Sequence, residues 1–260
     1  MLESYGNSIN CCQSCESKNI VNFLTLGNLP IANDLHSVQL KKFNQISYPL
    51  DLFFCKNCQL IQLGFEIKPD IVFPKNFPYT SSSTKALRNN FEDLSKKSRE
   101  KFGLTKEDLV IDIGSNDGNL LSYFKDHCKV LGVTPEDIGK IAIKKGIPTI
   151  IDFFNKNVSE KILTENGKAK LITSTNTFAH VPNVNSFVES IYNILADDGI
   201  FITESHYFLN LQKTFQYDTI YHEHLRYYTL KSLKYILEKN HLEIFDVENI
   251  NTHGGSIRVY

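Results

Sequence analysis

The chain has 260 residues, of which 42% are hydrophobic, so it can bury a substantial core in more than one domain. Its 28 basic and 29 acidic residues are interleaved and leave a formal net charge of −1, which argues against nucleic acid or an anionic membrane as partner and favours a small-molecule substrate. No apolar stretch reaches the roughly 20 residues that a membrane-spanning helix needs, and the N-terminus lacks the features of a signal peptide. These observations predict a cytoplasmic protein.

The cysteines concentrate near the N-terminus, where five of the six lie within the first 58 residues. Four of them form two Cys-x-x-Cys pairs, namely Cys12 with Cys15 and Cys55 with Cys58. Each pair has the spacing of a zinc knuckle, so together they predict one closed, structural Zn²⁺ site that stabilises folding and leaves no position for substrate. Disulfide bonds are the alternative, although a reducing cytosol disfavours them. Cys11 and Cys128 remain as spare thiols.

Short, interrupted apolar segments between the two cysteine pairs predict small strands and turns around the metal. Prolines and serines over residues 73–83 predict a loop, and we place a domain boundary there, with a zinc-binding domain over residues 1–75 and a second domain over residues 76–250.

In the second domain, short apolar strands alternate with helical stretches. The strand candidates are 109–113, 130–133, 148–151, 170–174 and 199–203, and the helix candidates are 136–145, 155–165 and 183–196. This alternation predicts an α/β fold with a mostly parallel sheet that helices cover on both faces. Ligands of such sheets bind beyond the carboxyl ends of the strands, near the point where the strand order reverses.

The turn Gly114-Ser115-Asn116-Asp117-Gly118 lies at that point. It lacks the spacing of the dinucleotide fingerprint, which argues against a nicotinamide cofactor. The carboxylates of Asp112 and Asp117 would repel a pyrophosphate but suit a ligand that carries an ammonium and a sulfonium, such as S-adenosylmethionine. An ordinary strand-to-helix turn is the alternative interpretation.

Several motifs occur together and in a fixed order. Besides the cysteine pairs and the glycine turn, they are 27–33 (GNLPIAN), 79–82 (YTSS), 178–181 (FAHV), 221–224 (YHEH) and 252–259 (THGGSIRV). In this combination the chain resembles the zinc-containing, S-adenosylmethionine-dependent sugar C-methyltransferases, which act on nucleotide-linked ketosugars. The resemblance implies a small N-terminal zinc-binding domain followed by a Rossmann-like class I methyltransferase domain. Members of the family usually continue into a further α/β domain, so residues 251–260 would be the start of a truncated C-terminal domain.

The resemblance also implies a set of cofactor-binding residues. They are Tyr79, Ser82, Asp112, Gly114, Asn116, Gly118, Thr134, Asp152, Asn176 and His180. Tyr79 and the following Ser81 and Ser82 would belong to a segment that closes over the cofactor. The glycine turn would line its methionine portion, and Asp112 would orient the amino group.

The remaining positions follow the other strands of the sheet. Thr134 stands where the family has an acidic residue for the ribose, so either Glu136 or Asp137 would reach back or the ribose would be held less tightly. Asp152 would contact the adenine, while Asn176 and His180 would form the rim of the active site.

The run Tyr221-His222-Glu223-His224 supplies the groups for proton transfer. Methylation of carbon needs an enolate, and therefore a base at a carbon next to a ketone and donors for the enolate oxygen. We expect His224 to be the base, Glu223 to orient it or bind the sugar, and Tyr221 to donate a hydrogen bond to the enolate. His222 would point the other way.

Several alternatives remain for this run and for the chain. The run can be a polar loop with structural histidines, or His222 and His224 can bind a metal, although no third ligand is evident. A sugar O-methyltransferase would use the same cofactor without a ketone. A methyltransferase-like binding module without activity is the alternative from another class.

Overall fold

The computed structural model describes residues 4–35, 37, 45–75 and 79–260, so residues 76–78 of the predicted loop lie outside the described residues. The N-terminal region consists of short strands and one helical turn. These are β1 (Gly6–Ser8), β2 (Ile20–Leu29), β3 (Tyr48–Cys55), β4 (Ile61–Leu63), β5 (Phe65–Ile67) and α1 (Pro69–Val72). Strands β1 and β5 pair with each other, and the rest form an antiparallel sheet in the order β4-β3-β2.

The second region alternates strands and helices. Its elements are α2 (Lys85–Phe102), β6 (Leu109–Ile113), α3 (Asn119–Ser122), β7 (Lys129–Thr134), α4 (Gly139–Lys144), β8 (Thr149–Ile151), α5 (Lys156–Asn166), β9 (Ala169–Thr175), α6 (Val184–Ile194), β10 (Leu195–His206), α7 (Phe208–Thr214), β11 (Arg226–Tyr227), α8 (Leu230–Lys239), β12 (Val247–Ile250) and β13 (Ser256–Val259). Short 3-10 turns occur at Ser81–Ser83 and Tyr217–Thr219.

Seven of these strands form the central sheet, in the order β12-β13-β10-β9-β6-β7-β8. Strands β6 to β10 are parallel, whereas β13 runs antiparallel to both of its neighbours. The chain leaves β6 toward β7 and β8 and returns on the other side of β6 through β9 and β10, so the strand order reverses between β6 and β9. The predicted α/β, Rossmann-like sheet is therefore confirmed.

Successive residues of β6 face opposite sides of this sheet, as the strand period of two requires. Val110 packs into a core with the α2 residues Leu87 and Phe91, whereas Ile111 and Ile113 pack into a second core that includes residues of α5, α6 and α8. The apolar residues of α2 recur at helical spacing and are buried, so helices cover both faces of the sheet.

Two strands tie distant parts of the chain together. Strand β11 adds to the edge of the N-terminal sheet through β4, so the segment after residue 221 packs on the zinc region. The segment assigned from the sequence to a further domain forms β13 inside the seven-stranded sheet. There Arg258 makes a buried ion pair of 2.7 Å with Glu204 on β10.

One helix ends earlier than the sequence predicts. Helix α6 ends at Ile194, because Leu195 begins an extended segment that pairs with β9 through a register irregularity before Ile200. Among the described residues, no helix combines the length and apolarity that crossing a bilayer requires.

Candidate active site

A cavity of about 560 Å³ opens at the carboxyl ends of β6, β7, β8 and β9. It lies beside the reversal of strand order between β6 and β9, which is where open parallel sheets bind ligands. Its wall also includes Asn33 and Phe73 from the N-terminal region and His253 from the turn between β12 and β13. The cavity is therefore built by both regions of the chain.

The glycine turn shapes one end of the cavity. The backbone N–H groups of Gly114 and Ser115 both donate to the carbonyl of Val133, which folds the turn against β7. Gly114 has a φ of 85°, and a Cβ placed on it would lie 2.0 Å from Thr177 Oγ1. The position thus needs glycine because of its left-handed backbone and its contact with Thr177.

The two glycines of the turn do different things. Gly118 does not line the cavity, which corrects its assignment to the cofactor site. A Cβ there would lie 2.8 Å from Ala142 Cβ, so Gly118 permits the close packing of the turn on α4.

Side chains of the turn hold the segment that begins at Tyr79. Asn116 accepts from the Ser81 N–H at 2.9 Å and donates to the Tyr79 carbonyl at 3.2 Å. Asp117 accepts from Ser81 Oγ at 2.7 Å and from Lys145 Nζ at 3.0 Å. Tyr79 and Ser81 line the cavity, whereas Ser82 does not, because successive residues of the 3-10 turn point in different directions. Of the two serines expected in the closing segment, Ser81 is therefore the one that lines the cavity.

Asp112, the next-to-last residue of β6, has a buried carboxyl group and lines the cavity. It accepts a hydrogen bond of 2.7 Å from Thr173 Oγ1. Burial raises the pKa of Asp112 to about 7, so a nearby ammonium group would favour its charged form.

The ends of β7 and β8 carry the other predicted cofactor residues. Thr134 is buried, and its hydroxyl donates to the carboxylate of Glu136, which lines the cavity. Asp137 instead pairs with Lys140 at 2.8 Å outside the cavity wall, so of the two acidic candidates for the ribose only Glu136 is placed to reach it. Asp152 lines the cavity next to Phe153, whose ring is 39% exposed and offers an apolar face.

His224 is buried and lines the same cavity. Its Nδ1 lies 3.3 Å from the Thr219 carbonyl, which can only accept, so the ring proton resides on Nδ1. Its Nε2 then accepts from the Tyr221 hydroxyl at 3.0 Å. Burial, followed by the nearby His180 and His206, holds the pKa of His224 well below the ordinary histidine value, so the imidazole is neutral at neutral pH.

Glu223 does not orient His224, which corrects one of the two roles predicted for it. Its Oε1 accepts from the backbone N–H of Asn33 at 3.3 Å and from Asn33 Nδ2 at 3.0 Å. Its Oε2 is buried and lacks a hydrogen-bond partner among the described residues. Because Glu223 lines the cavity, this oxygen is available to a ligand.

His222 is buried and turned away, with Nε2 3.2 Å from the carbonyl of Tyr48. It does not line the cavity. The rings of His222 and His224 therefore face different surroundings, and no metal site joins them among the residues that the structure describes.

Four histidines line the cavity, of which the sequence assigned roles only to His180 and His224. His180 donates a hydrogen bond of 2.5 Å from Nδ1 to the backbone carbonyl of Glu223, because a carbonyl oxygen can only accept. The His206 ring centroid lies 4.6 Å from that of His224 and 5.4 Å from that of His253. Asn176, on the rim, has a φ of 55° and points into the same cavity.

Three of these wall residues had no assigned role in the sequence. Asn33 and His253 belong to motifs on which the family resemblance rests, and this was the feature of the sequence that could have indicated a role for them. His206 was ambiguous because a single histidine is more often structural.

The four predicted zinc ligands come together. Their sulfur atoms lie within 4.8 Å of one another, with Cys12 Sγ 3.4 Å from Cys58 Sγ and Cys15 Sγ 3.5 Å from Cys55 Sγ. Tetrahedral Zn²⁺ with bonds of about 2.3 Å separates its sulfur ligands by about 3.8 Å, so the donor set fits the ion. The hydrogen bond between Cys58 and Cys12 lowers the pKa of Cys12 to about 5 and raises the pKa of Cys58, so Cys12 is the first of this pair to become a thiolate.

The first cysteine knuckle also contacts the wall of the cavity. Buried Arg226 donates to Gln13 Oε1 at 2.9 Å and to the backbone carbonyls of Val181 and Pro182. Gln13 lies between the first two zinc ligands, whereas Val181 and Pro182 line the cavity. Hydrogen bonds from Arg226 thus connect the metal site to the wall of the candidate active site.

Comparisons with known proteins agree with this architecture. A methyltransferase domain family matches residues 84–247, and a zinc binding domain family matches residues 12–73. C-methyltransferase NovU from Streptomyces niveus is 33% identical over the whole of this chain, which spans 62% of that relative's length.

Two solved structures share the fold. An S-adenosylmethionine-dependent methyltransferase from Clostridium acetobutylicum ATCC 824 has a TM-score of 0.53 and 16% identity, over 68% of this chain and 92% of its own. Magnesium protoporphyrin IX methyltransferase from Synechocystis PCC 6803, solved with bound SAH, has a TM-score of 0.51 and 15% identity, over 66% of this chain and 81% of its own.

Proposed function

Because the chain belongs to the methyltransferase domain family, we propose that it transfers a methyl group from S-adenosylmethionine to a carbon of a nucleotide-linked ketosugar, through an enolate. The observation that carries this proposal is the hydrogen-bonded pair formed by Tyr221 and neutral His224, which lines the same cavity as the glycine turn. The C-methyltransferase relative supports carbon as the acceptor.

The charge of the cavity suits a cationic cofactor. Its described wall holds four carboxylates and neither lysine nor arginine; the carboxylates are those of Asp112, Glu136, Asp152 and Glu223. An ammonium and a sulfonium are attracted by these carboxylates. Asp112 would hold the amino group, Glu136 the ribose and Asp152 with Phe153 the adenine. When bound, S-adenosylmethionine supplies an electrophilic methyl group and leaves as a neutral thioether.

The chain's own residues supply the proton chemistry. A ketone makes the adjacent C–H acidic, and His224 Nε2 takes that proton while the electron pair of the C–H bond forms the enolate. The Tyr221 hydroxyl, which shares Nε2 before substrate binds, rotates about its C–O bond and donates to the enolate oxygen. The Thr219 carbonyl keeps its hydrogen bond to Nδ1 and stabilises the imidazolium that forms.

A nucleotide sugar and thiolate zinc ligands both belong to the reducing interior of the cell, so we place the reaction in the cytoplasm.

The test compares His224→Ala with His222→Ala, since both histidines belong to one loop but only His224 lines the cavity. Both variants should bind the cofactor normally by calorimetry. With a panel of nucleotide-linked ketosugars and labelled cofactor, His224→Ala should lose roughly 10²–10⁴-fold in methyl transfer and in solvent-deuterium exchange at the acidic carbon.

Three outcomes contradict parts of the proposal. Exchange at the wild-type rate in His224→Ala places the base elsewhere. Methylation by the wild type without exchange identifies an oxygen acceptor, as in a sugar O-methyltransferase. Binding of neither cofactor nor any ketosugar by the wild type rejects the enzyme in favour of a binding module.

A further inference from the structure

Building on the proposed function, we propose that His253 is a second hydrogen-bond donor to the enolate oxygen, acting through Nε2 together with the Tyr221 hydroxyl. The ligand it would contact is the carbonyl oxygen of the ketosugar.

The backbone that carries His253 is unusual. His253, Gly254 and Gly255 are consecutive residues with φ of 49°, 75° and 110°, in the turn between β12 and β13. Left-handed backbone is unfavourable for a residue with a side chain and persists where the surroundings or a function require it.

The surroundings of the turn explain its glycines. A Cβ on Gly254 would lie 2.0 Å from Gln216 Oε1, and Gln216 Nε2 donates to the Gly254 carbonyl at 2.8 Å. A Cβ on Gly255 would lie 2.7 Å from Asn210 Nδ2. These contacts fix the turn, and with it the direction of the His253 side chain, but they involve the glycines and not the imidazole.

The imidazole of His253 is directed into the cavity wall. Its Nε2 is buried and lacks a hydrogen-bond partner among the described residues, an arrangement that is unfavourable unless a ligand supplies the partner. Its ring lies 5.4 Å from that of His206, which in turn lies 4.6 Å from that of the base His224. A single histidine ring thus connects His253 with the base along the cavity wall.

The proposed reaction requires a hydrogen-bond donor for the charge that develops on the ketone oxygen, and His253 can supply it. As the C–H bond breaks, its proton goes to His224 Nε2, its electron pair forms the C=C bond, and the carbonyl π pair becomes a lone pair on oxygen. The described cavity wall offers no lysine or arginine to stabilise that charge, so neutral donors must do so. Burial lowers the pKa of His253, so its imidazole is neutral and can donate a hydrogen bond without giving up its proton.

Two substitutions separate donation from backbone conformation. Gln places its amide nitrogen near the position of Nε2, whereas Asn reaches only the position of Nδ1 but tolerates left-handed backbone better. If His253 donates through Nε2, His253→Asn should lose roughly 10²–10³-fold in exchange of the acidic proton and His253→Gln should lose less than about tenfold. If the residue serves only the turn, Asn should be the better replacement.

His241 provides the matched control. It is an exposed histidine with a φ of 65° at the end of α8, so its Asn and Gln variants report the backbone cost alone. Exchange is measured with a nucleotide-linked 4-ketohexose and S-adenosylhomocysteine, so that methyl transfer is excluded, and thermal stability is measured in parallel. Equal exchange in both His253 variants, or better exchange in His253→Asn, overturns the proposal.

A second measurement needs no substrate. Nitrogen-15 spectra of the free protein with labelled histidine report which ring nitrogen of His253 carries the proton. A proton on Nε2 supports the proposal, and a proton on Nδ1 overturns it. Failure of the proposed function would appear separately, as the absence of exchange in the wild type.

Discussion

Replacing Gly114 with alanine should destabilise the fold, because the position has left-handed backbone and lies against Thr177. Position 114 has a φ of 85°, and the added Cβ would lie 2.0 Å from Oγ1, 2.9 Å from Cβ and 2.9 Å from Cγ2 of Thr177. Rotation about χ1 of Thr177 does not remove the overlap, because the Thr177 Cβ itself is too close. The turn or the loop after β9 must therefore shift.

The size of the effect follows from two terms. Left-handed backbone costs alanine roughly 1–2 kcal/mol relative to glycine. Overpacking in a buried site adds roughly 1–3 kcal/mol. Gly146 has a φ of 79° with no atom within 4 Å of an added Cβ, so Gly146→Ala carries only the first term. Gly114→Ala should therefore lower the free energy of unfolding by roughly 1–3 kcal/mol more than Gly146→Ala.

Urea denaturation monitored by circular dichroism measures both variants. A double-mutant cycle with Thr177→Gly should recover most of the overpacking term, since that substitution removes all three crowding atoms. Calorimetry should show weaker S-adenosylmethionine binding by Gly114→Ala, because the displaced turn carries Asn116. Equal unfolding energies for Gly114→Ala and Gly146→Ala would refute the reasoning.

Three further perturbations test other parts of the structure. Cys55→Ser should lose the bound zinc and unfold at a lower denaturant concentration, whereas Cys128→Ser should keep its zinc. Metal analysis that finds full zinc in Cys55→Ser would contradict the assigned ligand set. Arg226→Met should lower the free energy of unfolding by roughly 2–5 kcal/mol because it leaves several buried acceptors without a donor. Lys239→Met removes one hydrogen bond to the same knuckle and should cost less than about 1 kcal/mol. Similar losses in the two variants would contradict the importance of the Arg226 hydrogen bonds. Asp112→Asn tests the raised carboxyl pKa of about 7. The folded protein binds the Asp112 proton more tightly than the unfolded chain does, so this group's contribution to stability is present below about pH 4 and is lost as pH rises to about 7. Relative to the variant, the wild type should lose about 1.4 kcal/mol per pH unit over that range, because the buried histidines are common to both proteins and cancel; a pH-independent difference would show an ordinary pKa.

The sequence alone was sufficient for features that depend on local spacing. Two Cys-x-x-Cys pairs present their thiolates from tight turns, so the metal ligands could be read without knowledge of how the chain folds. The alternation of short apolar strands with helices likewise predicted the parallel sheet and placed the glycine turn at its ligand-binding edge. The run at residues 221–224 indicated Tyr221 and His224 as residues for proton transfer, and their side chains form a hydrogen bond in the structure.

Tertiary structure decided which side chains face the cavity and what each one contacts. Glu223 bonds to Asn33, a residue 190 positions away, and this contact could not be read from its neighbours in the sequence. Gly118 packs on α4 instead of a ligand, and His253 enters the cavity wall because β13 inserts between β12 and β10. Spacing along the chain fixes the local geometry of a turn or knuckle, but the direction of a side chain relative to distant elements depends on how those elements pack.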